Sequence, residues 1–398
     1  MDWRALLEPE IQTFMKVHKD EDVRILALKK PPDVSWPYPL ILNQIKVRQK
    51  SRQKTPKISE TGRFVFPNNS VFEQASSSAC AVYKSQILKG KSFVDLTGGC
   101  GVDAFSFAHK FDGGVAVECD SVCAEILAHN ANVLGLSLEV VHGGAEEYVA
   151  TMERCDLVYI DPQRRDDTRK GKYDLSACSP NVIDMLPALK NKAHRVMIKT
   201  SPFLDIDKTV LDLGCVTDVH VVQYQGDCKE VLYVLDPVAK TSLDYVQIHA
   251  VTLDDNGSAI CDFSFSRAEE RAATSEYAMP EKYIYEPGPA GQKAGGFKTI
   301  GARYGLKKLH PHTHLYASTD RVDGFPGKVY EIIDIMPVKA NKNMVSQADL
   351  ALRNFPATVD GLRKKLKLAE GGTHRIYATT LKNNEKKLII CLKEYGYV

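Results

Sequence analysis

Residues Phe93–Ala108 read FVDLTGGCGVDAFSFA. A short apolar run carrying one acid, Asp95, passes into Gly98, Gly99 and Gly101. It leaves through Val102, Phe105 and Ala108 at helical spacing. Strand, glycine turn and helix in that order open a nucleotide-type α/β unit. Its ligand lies beyond the carboxyl end of the strand. A glycine has no Cβ, so three in four residues predict a backbone that something approaches closely.

Working outward, the same grammar repeats from Ser92 to Pro237. The runs SFVDLT, GVAVEC, SLEVVH, DLVYID and RVMIKT read as buried strands. Helical patterns lie between them, as in SVCAEILAHNANVLGL and PNVIDMLPALKN. Such alternation predicts a parallel sheet covered on both faces. VTDVHVVQY and KEVLYVLD, joined by a short glycine-containing turn, add a terminal antiparallel hairpin. The fold class is therefore α/β and Rossmann-like, with a helical region before the sheet and small α+β modules after it. YVQIHAVTL-DDNG-AICDFSFS reads as a further hairpin with a type I′ turn. EPGPAGQKAGGF is a Pro/Gly-rich connector that opens a helix. The last 70 residues read as strand, helix and hairpin. The expected divisions are 1–75, 76–240, 241–325 and 326–398.

The residues at the strand ends suggest the ligand. Glu118 ends the second strand, 23 residues after Asp95, where a carboxylate can accept both ribose hydroxyls. Gly99, Gly101 and Ala104 fit the dinucleotide pattern G-x-G-x-x-A. Asp95, however, would repel the pyrophosphate that such a ligand seats at the helix start. It suits a ligand with a cationic amino group, which points to S-adenosylmethionine. Asp161-Pro162 ends the fourth strand beside the expected methyl donor. Lys199 and Ser201, ending the fifth strand in IKTSP, face the ligand edge as substrate contacts or serve the turn. Cys155 sits at the far end of its strand and reads as a buried, inert thiol. His310, His312 and His314 alternate along a strand, but no further ligand at suitable spacing completes a metal site, so none is expected.

Asp95-x-Thr97-x-Gly99-x-Gly101, Glu118 and Asp161-Pro162 resemble the motifs of class I S-adenosylmethionine-dependent methyltransferases. FEQASSSACAVYK, YIDPQRRDD, IKTSPFLDI, HLYAS and the ending LRKKL…HRIYATT narrow the resemblance to a bacterial methyltransferase family with a THUMP-like C-terminal domain. That family implies a ferredoxin-like piece before the THUMP-like one, and an RNA substrate. The glycine loop is also similar to that of trimethylguanosine synthases. Three departures stand out. Thr97 replaces the first loop glycine, and its hydroxyl is free to bond a ligand. Gly144 stands where many relatives hold the adenine amine with an acid, leaving the Ala145 N–H or the Glu146 carboxylate to substitute. Gln163 and Arg164 follow Asp161-Pro162 where amino-methylating relatives have a second proline and a base-stacking aromatic. Arg164 can stack on a base or clamp phosphate. The resemblance thus implies methylation of an exocyclic amine, with Asp161, Pro162 and Arg164 at the reacting centre.

Composition sets the outer bounds. Of 398 residues, 44% are apolar and 26% charged, an ordinary globular balance. The net charge of +2 excludes a global field that would draw a polyanion, so any RNA contact depends on local clusters. Three clusters exist. Lys46, Arg48, Lys50, Arg52, Lys54 and Lys57 form a solvated helix face or a phosphate-binding arm. Arg164, Arg165, Arg169, Lys170 and Lys172 flank the reacting motif. Arg363, Lys364, Lys365 and Lys367 lie near the end. Ten cysteines without metal spacing read as reduced thiols, and no apolar run reaches membrane length, so a cytoplasmic enzyme is expected. Two rival readings stay open: a non-catalytic RNA-binding protein with a degenerate methyltransferase domain, and a methyltransferase acting on protein or small molecules.

Overall fold

The computed structural model describes residues 2–164, 175–339 and 345–393. Its strands begin with β1 (Ser92–Asp95), β2 (Gly113–Glu118), β3 (Leu138–His142) and β4 (Cys155–Ile160). A two-residue ribbon follows, β5 (Gln163–Arg164) with β6 (Cys178–Ser179), and then β7 (Ala193–Thr200). Strands β3-β2-β1-β4-β7 are neighbours and all parallel. The chain turns from β1 toward β2 on one side and toward β4 on the other. This is the switch point at which open α/β sheets bind ligands.

β8 (Val216–Tyr224) and β9 (Asp227–Leu235) form the expected hairpin, with β9 inserted beside β7. The turn residues Gln225 and Gly226 have φ of 50° and 80°. Two positive values in a two-residue loop are what a type I′ turn requires. β10 (Gln247–Leu253) and β11 (Ala259–Ser266) complete a nine-stranded sheet in the order β11-β10-β8-β9-β7-β4-β1-β2-β3. Their turn corrects the type I′ expectation. Among its residues only Gly257 has a positive φ, and it bonds back to Asp254. Asp255 and Asn256 stay in ordinary backbone space, so one left-handed glycine closes the turn.

The chain forms two compact units. One comprises Met1–Val216, Leu232–Lys240 and Leu253–Ala259; the other comprises Thr217–Val231, Thr241–Thr252 and Ile260–Val398. In the first unit the N-terminal helices belong with the sheet. Trp3, Leu6, Ile11, Met15, Ile41 and Ile45 share a core with Ile126, on the helix Ser121–Val133. Asn130 on that helix bonds both backbone groups of Val65. The second unit is built on a seven-stranded sheet. Its strands are β12 (Tyr283–Pro287), β13 (Lys307–His310), β14 (Thr313–Ser318), β15 (Gly327–Pro337), β16 (Asp349–Arg353), β17 (His374–Thr380) and β18 (Lys386–Leu392). They stand in the order β13-β14-β12-β15-β18-β17-β16. β16, which has no clear signature in the sequence, pairs parallel to β17. Ile284, Leu315, Tyr330, Tyr377 and Ile389, from strands on both sides of residue 326, form one core.

At two of the three loop glycines packing leaves no room for a Cβ. A Cβ on Gly101, whose φ is 82°, would lie 2.4 Å from Leu127 Cδ1 and from Phe105 Cζ. A Cβ on Gly98 would lie 2.8 Å from Leu127 Cδ2. Gly99, with φ of 49°, has only the Thr97 carbonyl, at 3.7 Å, near that position. Gly101→Ala therefore combines backbone strain with overpacking and should lose about 2–4 kcal/mol of stability. Gly99→Ala should lose only about 1 kcal/mol. Urea unfolding of the two variants checks this; equal losses would contradict the packing assignment.

Candidate active site

The carboxyl ends of β1 and β4 open onto a small cleft. Gln74, Ser76, Asp95, Thr97, Gly99, Asp103, Asp161 and Gln163 are among its lining residues. The cleft thus gathers three carboxylates, and each is managed differently.

Asp95 is 1% exposed. Its Oδ1 accepts the Thr97 N–H at 2.9 Å and the Thr97 hydroxyl at 3.2 Å. Burial pushes its carboxyl up to about 7, and the negative charges of Asp103 and Asp161 add to the push. Asp103, on the helix Val102–Ala108, is tied to Lys84 at 3.0 Å and accepts from the Ser76 and Tyr159 hydroxyls. Burial acts to raise its carboxyl as well, but Lys84, Lys199 and the Ser76 hydroxyl outweigh it and hold Asp103 below its ordinary value. Asp161 is ion-paired to Lys199, its one side-chain partner among the described residues. Lys199 also reaches the Ser76 hydroxyl at 3.4 Å. Lys84 itself is fully buried, and its cation lies 5.8 Å from the Tyr159 ring centre.

Asp95 is therefore the carboxylate of the three without a lysine against it. A buried acid in a cleft, lacking a cation and crowded by like charges, is suited to receive a cationic group from a ligand. The opening at Gly99 leaves room for that ligand to touch the backbone.

Several sequence expectations meet a different geometry. The Thr97 hydroxyl is already engaged inside the protein: it donates to Asp95 and accepts the Asp161 N–H at 2.8 Å. It bolts the ends of β1 and β4 together, which a glycine at this position could not do. Glu118 accepts the Gly99 N–H at 2.7 Å with one oxygen and the Asp120 N–H at 2.8 Å with the other. Its carboxylate is thereby fixed at the loop, with lone pairs left for hydroxyl groups. Ala145 and Glu146 open the helix after β3, the first buried and the second exposed; neither lines the cleft. The Ser201 hydroxyl accepts the Phe203 N–H at 3.4 Å, and the Ser201 carbonyl accepts the Leu204 N–H at 3.2 Å. Ser201 thus performs the turn chemistry. Pro162 continues from Asp161, and the Arg164 backbone pairs with Cys178. The Arg164 side chain, together with Arg165, Arg169, Lys170 and Lys172, lies outside the described residues.

Most of the basic stretch 46–57 lies on the helix Tyr38–Lys54, with Lys46, Lys50, Arg52 and Lys57 exposed. Arg48 donates to the carbonyls of Ser59 and Phe64, and Lys50 pairs with Glu73. Arg52 pairs with Asp20, and Lys54 caps the carbonyls of Phe72 and Glu73. Burial brings the Lys54 ammonium down to about 8. Four of the six cations hold the N-terminal fold together. Cys155 is buried as expected, and His314 stacks on Phe297. Sequence reading missed Ser76, Lys84, Asp103 and Tyr159. The available signal was charge out of place: a lysine and an acid inside helices otherwise made of small and apolar residues.

The fold and this cleft are those of a class I methyltransferase, and comparison with known proteins agrees. A crystal structure named as a methyltransferase from Porphyromonas gingivalis W83 superposes with a TM-score of 0.89. It is 30% identical, and the match covers 99% of this chain and 100% of that one. An uncharacterized S-adenosylmethionine-dependent methyltransferase of Mycobacterium tuberculosis (strain ATCC 25618 / H37Rv) is 23% identical over 304 residues, 74% of this chain and 79% of its own. Residues 283–326 match a ferredoxin-like domain model and 327–393 a THUMP domain-like model. The chain belongs to the family of S-adenosylmethionine-dependent methyltransferases that carry these two C-terminal segments, and S-adenosylmethionine is its methyl donor. Among the described residues, no helix is long and apolar enough to cross a membrane.

The Asp95 geometry has a pH consequence. In the folded protein Asp95 keeps its proton up to about pH 7, against 3.8 for the free group. Ionising it costs stability, a cost absent below about pH 4 and complete above about pH 7. Asn keeps the acceptor for both Thr97 bonds and has no proton to lose. Asp95→Asn should therefore stabilise the donor-free protein at pH 8 by about 2–4 kcal/mol and change little at pH 4. S-adenosylmethionine affinity should fall by about tenfold or more. Melting curves at both pH values and calorimetry test the pair of effects; a pH-independent change in melting temperature would count against it.

Proposed function

We propose that this methyltransferase modifies an exocyclic amine of a nucleobase in structured RNA. One observation carries the RNA part. In the cluster at 363–367, Lys364, Lys365 and Lys367 are exposed, with no side-chain partner among the described residues. They lie on and just after the helix Val359–Leu366, inside the THUMP-like match. Arg363 is instead drawn into the fold, donating to the Ala348 carbonyl. Exposed, uncompensated lysines are what phosphate contact needs.

The amine part rests on Asp161. Bound S-adenosylmethionine supplies an electrophilic methyl group on a positively charged sulfur. Asp95, Gly99 and Glu118 hold the donor: Asp95 at its amino group, Gly99 at its backbone-facing edge, and Glu118 at the ribose hydroxyls. Lys199 orients Asp161 through one oxygen, and the other oxygen accepts a hydrogen bond from the amine. A carbonyl at Pro162 takes the second amine hydrogen. With both hydrogens held, the nitrogen lone pair turns toward the methyl group, and positioning of this kind supplies most of the catalysis.

Asp161→Asn preserves shape but places an NH₂ donor where the amine needs an acceptor. Turnover should drop about a hundredfold or more, while S-adenosylmethionine affinity changes by less than about tenfold. Single-turnover methylation and calorimetry measure the two; wild-type turnover would remove Asp161 from the reaction.

Replacing Lys364, Lys365 and Lys367 together by Glu should weaken RNA binding. It should also lower the slope of log affinity against log salt by about 2–3. Filter binding across a salt series, using RNA from cells lacking the protein, reports this. Donor binding should not move. Mass spectrometry of nucleosides from those cells should show one methylated base missing; an unchanged nucleoside profile would favour a protein or small-molecule substrate.

A further inference from the structure

The Asp161-Pro162-Gln163-Arg164 stretch has no aromatic residue, and none lines the described part of the cleft. A base entering this site still needs an apolar face to lie against. Stacking on an aromatic ring is the usual way to hold a base out of its helix.

Phe203 lies in the turn that follows β7. β4 and β7 are parallel neighbours, with Ile160 opposite Ile198. Residues 161 and 199 therefore leave the sheet side by side, and Lys199 pairs with Asp161. Phe203 is four residues past Lys199, which places it within about 14 Å along even a fully extended chain. The Ser201–Leu204 turn folds that segment back and shortens the distance. Phe203 is 73% exposed, unusual for a large ring held in an ordered turn. Both flanks are pinned. The Ser201 hydroxyl accepts the Phe203 N–H, Leu204 is buried, and Asp205 caps the helix Ile206–Leu213. The ring is thus exposed on a turn whose backbone is held on both flanks.

We propose that Phe203 is the stacking platform for the target base, replacing the aromatic that the Asp161-Pro162 stretch lacks. The inference rests on the RNA reading above. The base lies against the Phe203 ring with its amine directed at Asp161. The role needs a flat π face rather than apolar area alone, so Tyr should substitute and Leu should not.

The test is methyl transfer from tritiated S-adenosylmethionine to RNA extracted from cells lacking the protein. Phe203→Ala and Phe203→Leu should each raise the RNA concentration for half-maximal rate by about tenfold, within the range stacking supplies. Phe203→Tyr should stay within about twofold of wild type, and calorimetric S-adenosylmethionine affinity should be unchanged in all three. Equal rates for wild type and Phe203→Ala, or a Leu variant as good as Tyr, overturn the platform while leaving the RNA reading intact. If wild type labels no RNA, the RNA reading falls, and the platform is judged separately by Phe203→Trp fluorescence. Titration with a mixed-sequence single-stranded oligoribonucleotide should quench the new tryptophan, with wild type correcting for Trp3 and Trp36. Absence of added quenching overturns the platform; quenching supports it.

Discussion

A lysine with no exposed surface governs the architecture of this site. Removing an ammonium from water costs several kcal/mol unless its donors are met by an opposite charge and by hydrogen-bond acceptors. Lys84 meets that demand with Asp103 and the Ser76 hydroxyl. Those partners come from different parts of the chain: the segment before β1 and the helix after the glycine loop. Asp103 in turn receives the Tyr159 hydroxyl from β4, and Ser76 receives Lys199 from β7. One buried charge therefore locks four elements into a single arrangement, and the floor of the cleft follows from it.

That arrangement separates the three carboxylates by role. Asp103 is neutralised from behind and is structural. Asp161 is ion-paired to Lys199, which also reaches the Ser76 hydroxyl. Among the described residues Asp95 is hydrogen-bonded through its side chain to Thr97 alone, and burial together with the charges of Asp103 and Asp161 pushes its carboxyl up. The lysines stabilise two of the acids, and among the described residues the third, Asp95, has no lysine against it. Thr97 adds a mechanical link between β1 and β4, so the donor end and the reacting end of the cleft are held in fixed register.

The C-terminal half follows a different logic. Its ferredoxin-like and THUMP-like segments are continuous through the pairing of β12 with β15, and they share a core. Buried Glu286 on β12 is met by Arg353, Arg375 and the Tyr377 hydroxyl from β16 and β17. A cut at residue 326 would break that ladder and strand the carboxylate. The exposed Lys364, Lys365 and Lys367 lie on and just after the helix Val359–Leu366, whose Leu362 and Leu366 are packed into a core of this half.

The parallel sheet, its terminal hairpin, the glycine turn and the acids at the strand ends were all legible in the sequence. These are set by periodicity, by backbone conformations open mainly to glycine, and by spacing within single βα units. The methyl donor was legible for the same reason, since Asp95, Gly99, Glu118 and Asp161 lie at strand ends wherever the sheet is drawn. Partnership was not legible. Whether Lys54 meets a phosphate or a helix terminus, whether the Thr97 hydroxyl meets a ligand or Asp161, and which glycines face a ligand rather than Leu127 depend on contacts between residues far apart in the chain. Lys84 and Asp103 carried no periodic signature, because a buried ion pair makes sense only once both partners share one site. The sequence by itself determined which chemistry is present and at which end of the sheet. Only the tertiary structure decided which charges neutralise each other and which acid has no lysine against it.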